Sequence, residues 1–291
     1  MDMNEMTRRH TARPATGTGW FLGEGPVWDA ARQRLLWVDI MAGDVYEGRL
    51  GADDRVEAVR SWSFEQSVGA VAVAGNGDLL VAERETLTRV HADGGRTHLA
   101  RVLPPGSPSR LNDGAVDPSG RFLVGSLGGD REVLVRFEDG GCTTIDDDLT
   151  LSNGLAWSPS GDRFYSVDTL TRTVHVRDYP AGERSVLFTV GDGYPDGLCV
   201  DAGGNLWLAV WGGGRVECRS PAGELLAVVE VDAPHTSSVA FAGPGLNVLV
   251  ITTATQHLTA ADLAAHPLSG RLFTARVGVT GLLTPYWNPG L

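Results

Sequence analysis

The chain has 291 residues and a formal net charge of −12, from 24 basic and 36 acidic side chains. That excess of acid, with no basic block anywhere, disfavours a surface for nucleic acid or for an anionic membrane. Three cysteines, Cys142, Cys199 and Cys218, have no CxxC spacing; this argues against a disulfide framework and fits a reducing, cytoplasmic setting.

In chain order, residues 1–16 are polar and lack a continuous apolar core. They read as neither a secretory signal nor a membrane span, and are expected to be a disordered, frayed tail ahead of a single domain over residues 17–291. One phrase then recurs six times: a small residue, an apolar run, a polar turn and a second apolar run. The copies start at Gly25, Gly69, Gly114, Gly154, Gly197 and Ser238, between 40 and 45 residues apart. That is the period of a four-stranded blade, and six copies predict an all-β, six-bladed β-propeller of antiparallel blades around a central channel. After the sixth copy, TAADLAAH (259–266) has a Thr cap and Ala/Leu content suited to a short helix before Pro267. Residues 271–277, RLFTARV, would complete the last sheet, with the segment near Trp20 contributing to ring closure.

Phase converts sequence distance into proximity. Equivalent positions of successive blades lie on one ring around the axis, and the residues just before the six starts are Glu24, Val68, Asp113, Asn153, Asp196 and Ser237. Val68 and Ser237 show that the fold does not demand an acid or amide there. Glu24, Asp113, Asn153 and Asp196 gathered at one channel mouth would repel and lose solvation unless a cation neutralised them. Four oxygen donors without sulfur or imidazole favour a hard divalent ion such as Ca²⁺, Mg²⁺ or Mn²⁺. Taken singly, each of these stretches is also an ordinary turn sequence.

Arg110 and Asn112 precede Asp113. A fork of donors beside acids suits either an ion pair or a polyhydroxylated or carboxylated substrate. Asp130, in a Gly-Gly-Asp turn after the third copy, is either a plain turn residue or a further mouth residue. The seven histidines show no HxH or HExxH spacing, there is no GxSxG elbow, and the WGGGR stretch at 211–215 lacks the lysine and helix of a phosphate loop.

These stretches together resemble the senescence-marker-protein/regucalcin/gluconolactonase family of six-bladed propellers. The resemblance is carried by LGEGPVW (22–28) with LWVD (36–39), RLNDG (110–114), SNGLAWSP (152–159), YPDG (194–197), LWLAVWGG (206–213) and PLSGRLF (267–273). It implies Glu24, Asn153 and Asp196 as direct ligands of one divalent cation, calcium first, with Mn, Mg, Fe or Zn as alternatives. It also implies Arg110 and Asn112 as substrate contacts, with Asp130 near a position that often helps. The Ser109-Arg110-Leu111 and His235-Thr-Ser-Ser238 stretches depart from the family pattern, which bears on the substrate because loops set specificity. The expected activity is metal-dependent opening of a sugar lactone to its aldonic acid, with Asp196 or Asp113 as general base. A phosphotriester or fluorophosphate hydrolase on the same metal, and a non-catalytic calcium-binding propeller, are the alternatives.

Overall fold

A computed structural model describes residues 7–291. Six sheets form a ring of blades, each entered by an inner strand: Gly23–Asp29, Val68–Val73, Arg110–Val116, Ser152–Trp157, Tyr194–Val200 and Thr236–Ala242. Blades 1 to 4 are four-stranded meanders running outwards, so the six-bladed prediction holds. Inner strands read as nearly continuous small and β-branched residues because they are covered on both faces by neighbouring blades. The outer strands Val56–Ser63 and Arg96–Arg101 are mostly exposed and carry charge, which blunts their open edges.

The core is divided among the blade interfaces. Six apolar clusters fill them, for example Trp207, Phe241 and Ile251 between blades 5 and 6, and Leu80, Phe122 and Val124 between blades 2 and 3. Buried acids in the turn after an inner strand bind backbone amides. Asp117 accepts from the Ser119 and Arg121 amides (2.8 and 2.9 Å) and Asp201 from those of Gly203 and Asn205 (both 2.9 Å), the same Asx-turn chemistry in blades 3 and 5.

The expected frayed tail is corrected by the structure. Residues 1–6 lie outside the described residues, but Arg8–Thr11 adds a parallel fifth strand to blade 5 and Arg13–Pro14 forms the outermost strand of blade 6. The ring is therefore closed by the N-terminal segment. Phe273–Ala275 supplies the third strand of that blade, as residues 271–277 predict. Trp20 is joined to the blade 6 loop through its amide and the Gly270 carbonyl (2.8 Å). The Thr259 cap is also present: α1, Ala260–Ala265, starts with a capping box between Thr259 and Asp262.

The C-terminal segment crosses the end of the channel reached by the inner strands' C-termini. The Gly281 amide donates to Leu246, the Trp287 amide to Val73 and the Asn288 amide to Gly120, tying blades 6, 2 and 3 together. Residues 282–286 floor a cavity of about 350 Å³ inside the ring, walled by Val27, Val71, Leu155, Leu198 and Val239 and reaching Asp113 at its other end.

Candidate active site at the channel mouth

Every inner strand has a register break within its first few residues. The pairing slips between Glu24 and Val27, Val68 and Ala70, Leu111 and Gly114, Asn153 and Leu155, Pro195 and Leu198, and Thr236 and Ser238. Bulges re-aim side chains and increase local twist, and here the same device acts six times at the ring position. It also brings inner strands close. A Cβ on Gly154 would stand 2.5 Å from the Asp196 carbonyl oxygen, and one on Gly197 would stand 2.0 Å from Ser238 Oγ. At Gly69, Gly154 and Gly197 the absence of a side chain is what admits the neighbouring inner strand, whereas Gly25 is needed for its positive φ of 52°.

A chain of hydrogen bonds orients the amides. Arg110 Nη1 donates to Asn112 Oδ1 (2.8 Å), and Asn112 Nδ2 donates to Asn153 Oδ1 (3.1 Å) and to the Ser152 carbonyl (3.0 Å). Asn153 Nδ2 donates to Thr169 Oγ1 (3.1 Å), whose hydroxyl donates to the Pro195 carbonyl (2.9 Å), next to Asp196. Asn153 Oδ1 keeps one lone pair for another partner. Thr169 is a residue that sequence reasoning missed. It follows a strand of blade 4 at no repeat position, and only the bonding pattern singles it out.

The acids behave differently. Glu24 and Asp196 are 6% and 4% exposed. Burial pushes the Glu24 carboxyl up to about 8, with the Asp113 charge adding to it. Burial, then Glu24 and Asp113, raises Asp196 well above the carboxylate range. Burial takes Asp113 up to about 6 against the opposing Gly114 amide bond. Burial also draws the Arg110 guanidinium down to about 10, while Glu24 pulls the other way. The charge of Asp113 on Glu24, of Glu24 and Asp113 on Asp196, and of Glu24 and Asp196 on Arg110 places the four groups within electrostatic reach of one another.

Two buried acids off the ring position, Asp39 and Glu132, have both carboxylate oxygens bonded. Asp39 accepts from the Phe21 and Leu22 amides (2.8 and 3.1 Å), and Glu132 accepts from Ser109 Oγ (3.0 Å), Ser126 Oγ and the Gly129 amide. Asp196 Oδ1, by contrast, is buried without any hydrogen-bond partner. An orphaned carboxylate oxygen beside a second desolvated acid is a donor set short of positive charge, and it fits a hard cation. Among the described residues no group of three or more His, Cys, Asp or Glu side chains is able to hold a metal on its own; Glu24, Asp196 and the Asn153 amide oxygen are the groups that could hold one together. Asp130 is exposed, and among the described residues it makes no hydrogen bond or ion pair with this group.

Residues 22–255 match the family model described as SMP-30/Gluconolactonase/LRE-like region. The chain belongs to this family. A 6-deoxy-6-sulfogluconolactonase of Pseudomonas putida is 33% identical, over 97% of this chain and 99% of the relative. A pentonolactonase of Haloferax volcanii is 35% identical, over 93% and 96%. The crystal structure of a calcium-binding protein, regucalcin, from Agrobacterium tumefaciens superposes with a TM-score of 0.90 at 28% identity, covering 97% of this chain and 98% of that one. Family membership and lactonase relatives together support a lactone hydrolase. Among the described residues no helix is long and apolar enough to cross a membrane, and the three cysteines are unpaired.

Proposed function

We propose that this protein opens a sugar lactone to its aldonic acid with the help of one divalent cation, calcium first, held by Glu24, Asn153 and Asp196. The observation that carries the reading is the orphaned, buried Asp196 Oδ1 among acids whose proton affinity is raised by desolvation. When bound, the cation supplies Lewis-acid polarisation of the lactone carbonyl and a lowered pKa for a nearby water. The rest falls to the chain. Arg110, held by Asn112 and the Leu111 carbonyl (3.0 Å), is a donor for the ring hydroxyls.

Asp113 takes the proton as water adds to the acyl carbon. Its Oδ1 accepts from the Gly114 amide at 2.8 Å, which fixes its orientation, and a carboxylate raised to about 6 is ionised at neutral pH yet a stronger base than usual. The acyl–oxygen bond of the ring then breaks, and the ring oxygen leaves as a hydroxyl carrying that proton. Asp196, the other base expected from sequence, is better placed as a cation ligand, because a carboxylate bound to a cation is a weak base.

The test is a panel of five- and six-membered aldonolactones, with a phosphotriester as control, given to chelated and then metal-restored protein. Lactone opening that requires restored metal and is lost in Asp196→Asn is expected; turnover that survives complete metal removal refutes the cation's role. The regucalcin neighbour supports a second reading, a calcium-binding propeller without turnover. There, the same substitution lowers the melting temperature and no lactone is consumed.

A further inference from the structure

Arg84 lies next to the strand that carries Arg110, and its guanidinium makes no ion pair among the described residues. It follows the blade 2 strand Leu79–Glu83, one residue beyond Glu83, which pairs with Val68, the ring position of the blade that offers no oxygen. Its carbonyl accepts from the Leu111 amide at 2.7 Å, which ties it to the strand carrying Arg110. Its Nη2 donates to the Ser107 carbonyl at 3.0 Å, which holds the side chain against the proline-rich loop over residues 104–109.

Neither guanidinium has an ion-pair partner within 4.0 Å among the described residues. The acids flanking Arg84 in sequence, and Glu132, are engaged elsewhere, while Arg110 also feels the charges of Glu24 and Asp196. Glu83 accepts from Thr88 Oγ1, Glu85 is taken by Arg101 and the Gly106 amide, and Glu132 by Ser109, Ser126 and the Gly129 amide. Burial is the main reason the Arg110 guanidinium is drawn down to about 10, and the charge of Arg84 adds to it. Two guanidiniums on adjoining strands, without an ion pair among the described residues and close enough for their charges to act on each other, in a chain of net charge −12, have the chemistry an anionic group would seek.

Resting on the lactonase reading above, we infer that the preferred substrate is a sugar lactone bearing a second, anionic group away from the reacting carbonyl, with Arg84 as its specificity-determining contact beside Arg110. The shared chemistry is a set of charged oxygens matched to a guanidinium fork. A carboxylate and a phosphate are the two sources to separate.

The experiment compares kcat/KM for gluconolactone, a glucarolactone and 6-phosphogluconolactone in wild-type and Arg84→Gln protein, both calcium-loaded. Wild type is expected to favour one of the anionic lactones over the neutral one. Arg84→Gln is expected to collapse that ratio by about 10- to 100-fold, the loss lying in KM, as for a charge-assisted contact made equally before and during reaction. Arg84→Lys restores part of it. A ratio unchanged by Arg84→Gln, or a wild type indifferent to the added charge, overturns the inference. Should no lactone be opened at all, the lactonase reading fails separately, and calorimetric binding of 6-phosphogluconate and of glucarate against gluconate decides this one: a preference for either dianion lost in Arg84→Gln supports it, and no preference for either, or one that survives the substitution, overturns it.

Discussion

Replacing Glu24 by Gln separates a carboxylate that serves the fold from one that serves a cation. In metal-free protein above pH 8 the Glu24 carboxylate is ionised in a buried site that raises its pKa from 4.5 to about 8, a penalty on the order of a few kcal/mol. A neutral isostere removes that penalty and keeps an oxygen to accept from the Gly25 amide, now at 3.0 Å. Unfolding entropy of roughly 2 cal/mol/K per residue makes 1 kcal/mol worth about 1.6 °C for 291 residues. Metal-free Glu24→Gln should therefore melt about 2–5 °C above wild type at pH 8. Calcium at a hundred times its Kd adds about 2.7 kcal/mol, or roughly 4 °C, to wild type, and this gain should vanish in the variant.

The pH dependence has a defined sign. Glu24 and Asp113 both have folded pKa values above their unfolded ones, so between about 4.5 and 8 the folded protein binds more protons than the unfolded chain. Metal-free stability is then fullest at low pH and falls as pH rises through that window. Differential scanning fluorimetry at pH 5 and pH 8, with and without calcium, reads all four corners. A metal-free Glu24→Gln protein that melts several degrees below wild type while keeping the full calcium shift would refute the reasoning.

Two other outcomes follow from the geometry. Asp113→Asn should lower kcat by about 10²- to 10⁴-fold without removing the calcium shift, and in wild type kcat/KM should fall with protonation below about pH 6; steady-state rates from pH 5 to 8 check both. Deleting residues 1–14 removes the outer strand of blade 6 and the parallel edge of blade 5, so the truncated chain should lose at least about 3 kcal/mol, roughly 5 °C. A melting curve superposable on the full chain would show that the ring closes without its N-terminal segment.

The repeat period and the ring of acids were legible in the sequence because both are local properties repeated at one phase. A blade's turn and apolar runs are encoded within about 40 residues, and rotational pseudo-symmetry turns equal phase into a shared radius. The Thr259 cap was legible for the same reason: a capping box lies within four residues. Residues 8–14 carry no such signal. They are polar and short, and they become strands only because blades 5 and 6 present open edges whose partners lie over 200 residues away.

Tertiary structure likewise decided which oxygens of the site are spent. Sequence placed Glu24, Asn153 and Asp196 alongside Asp113. Only packing shows that Asp196 Oδ1 is left without a partner while Asp39 and Glu132 have their oxygens bonded, that Thr169 links the Asn153 amide to the Pro195 carbonyl, and that Asp130 is exposed. Hydrogen-bond satisfaction and desolvation depend on every neighbour within a few ångströms, most of them distant in the chain, whereas the blade period depends on neighbours along it.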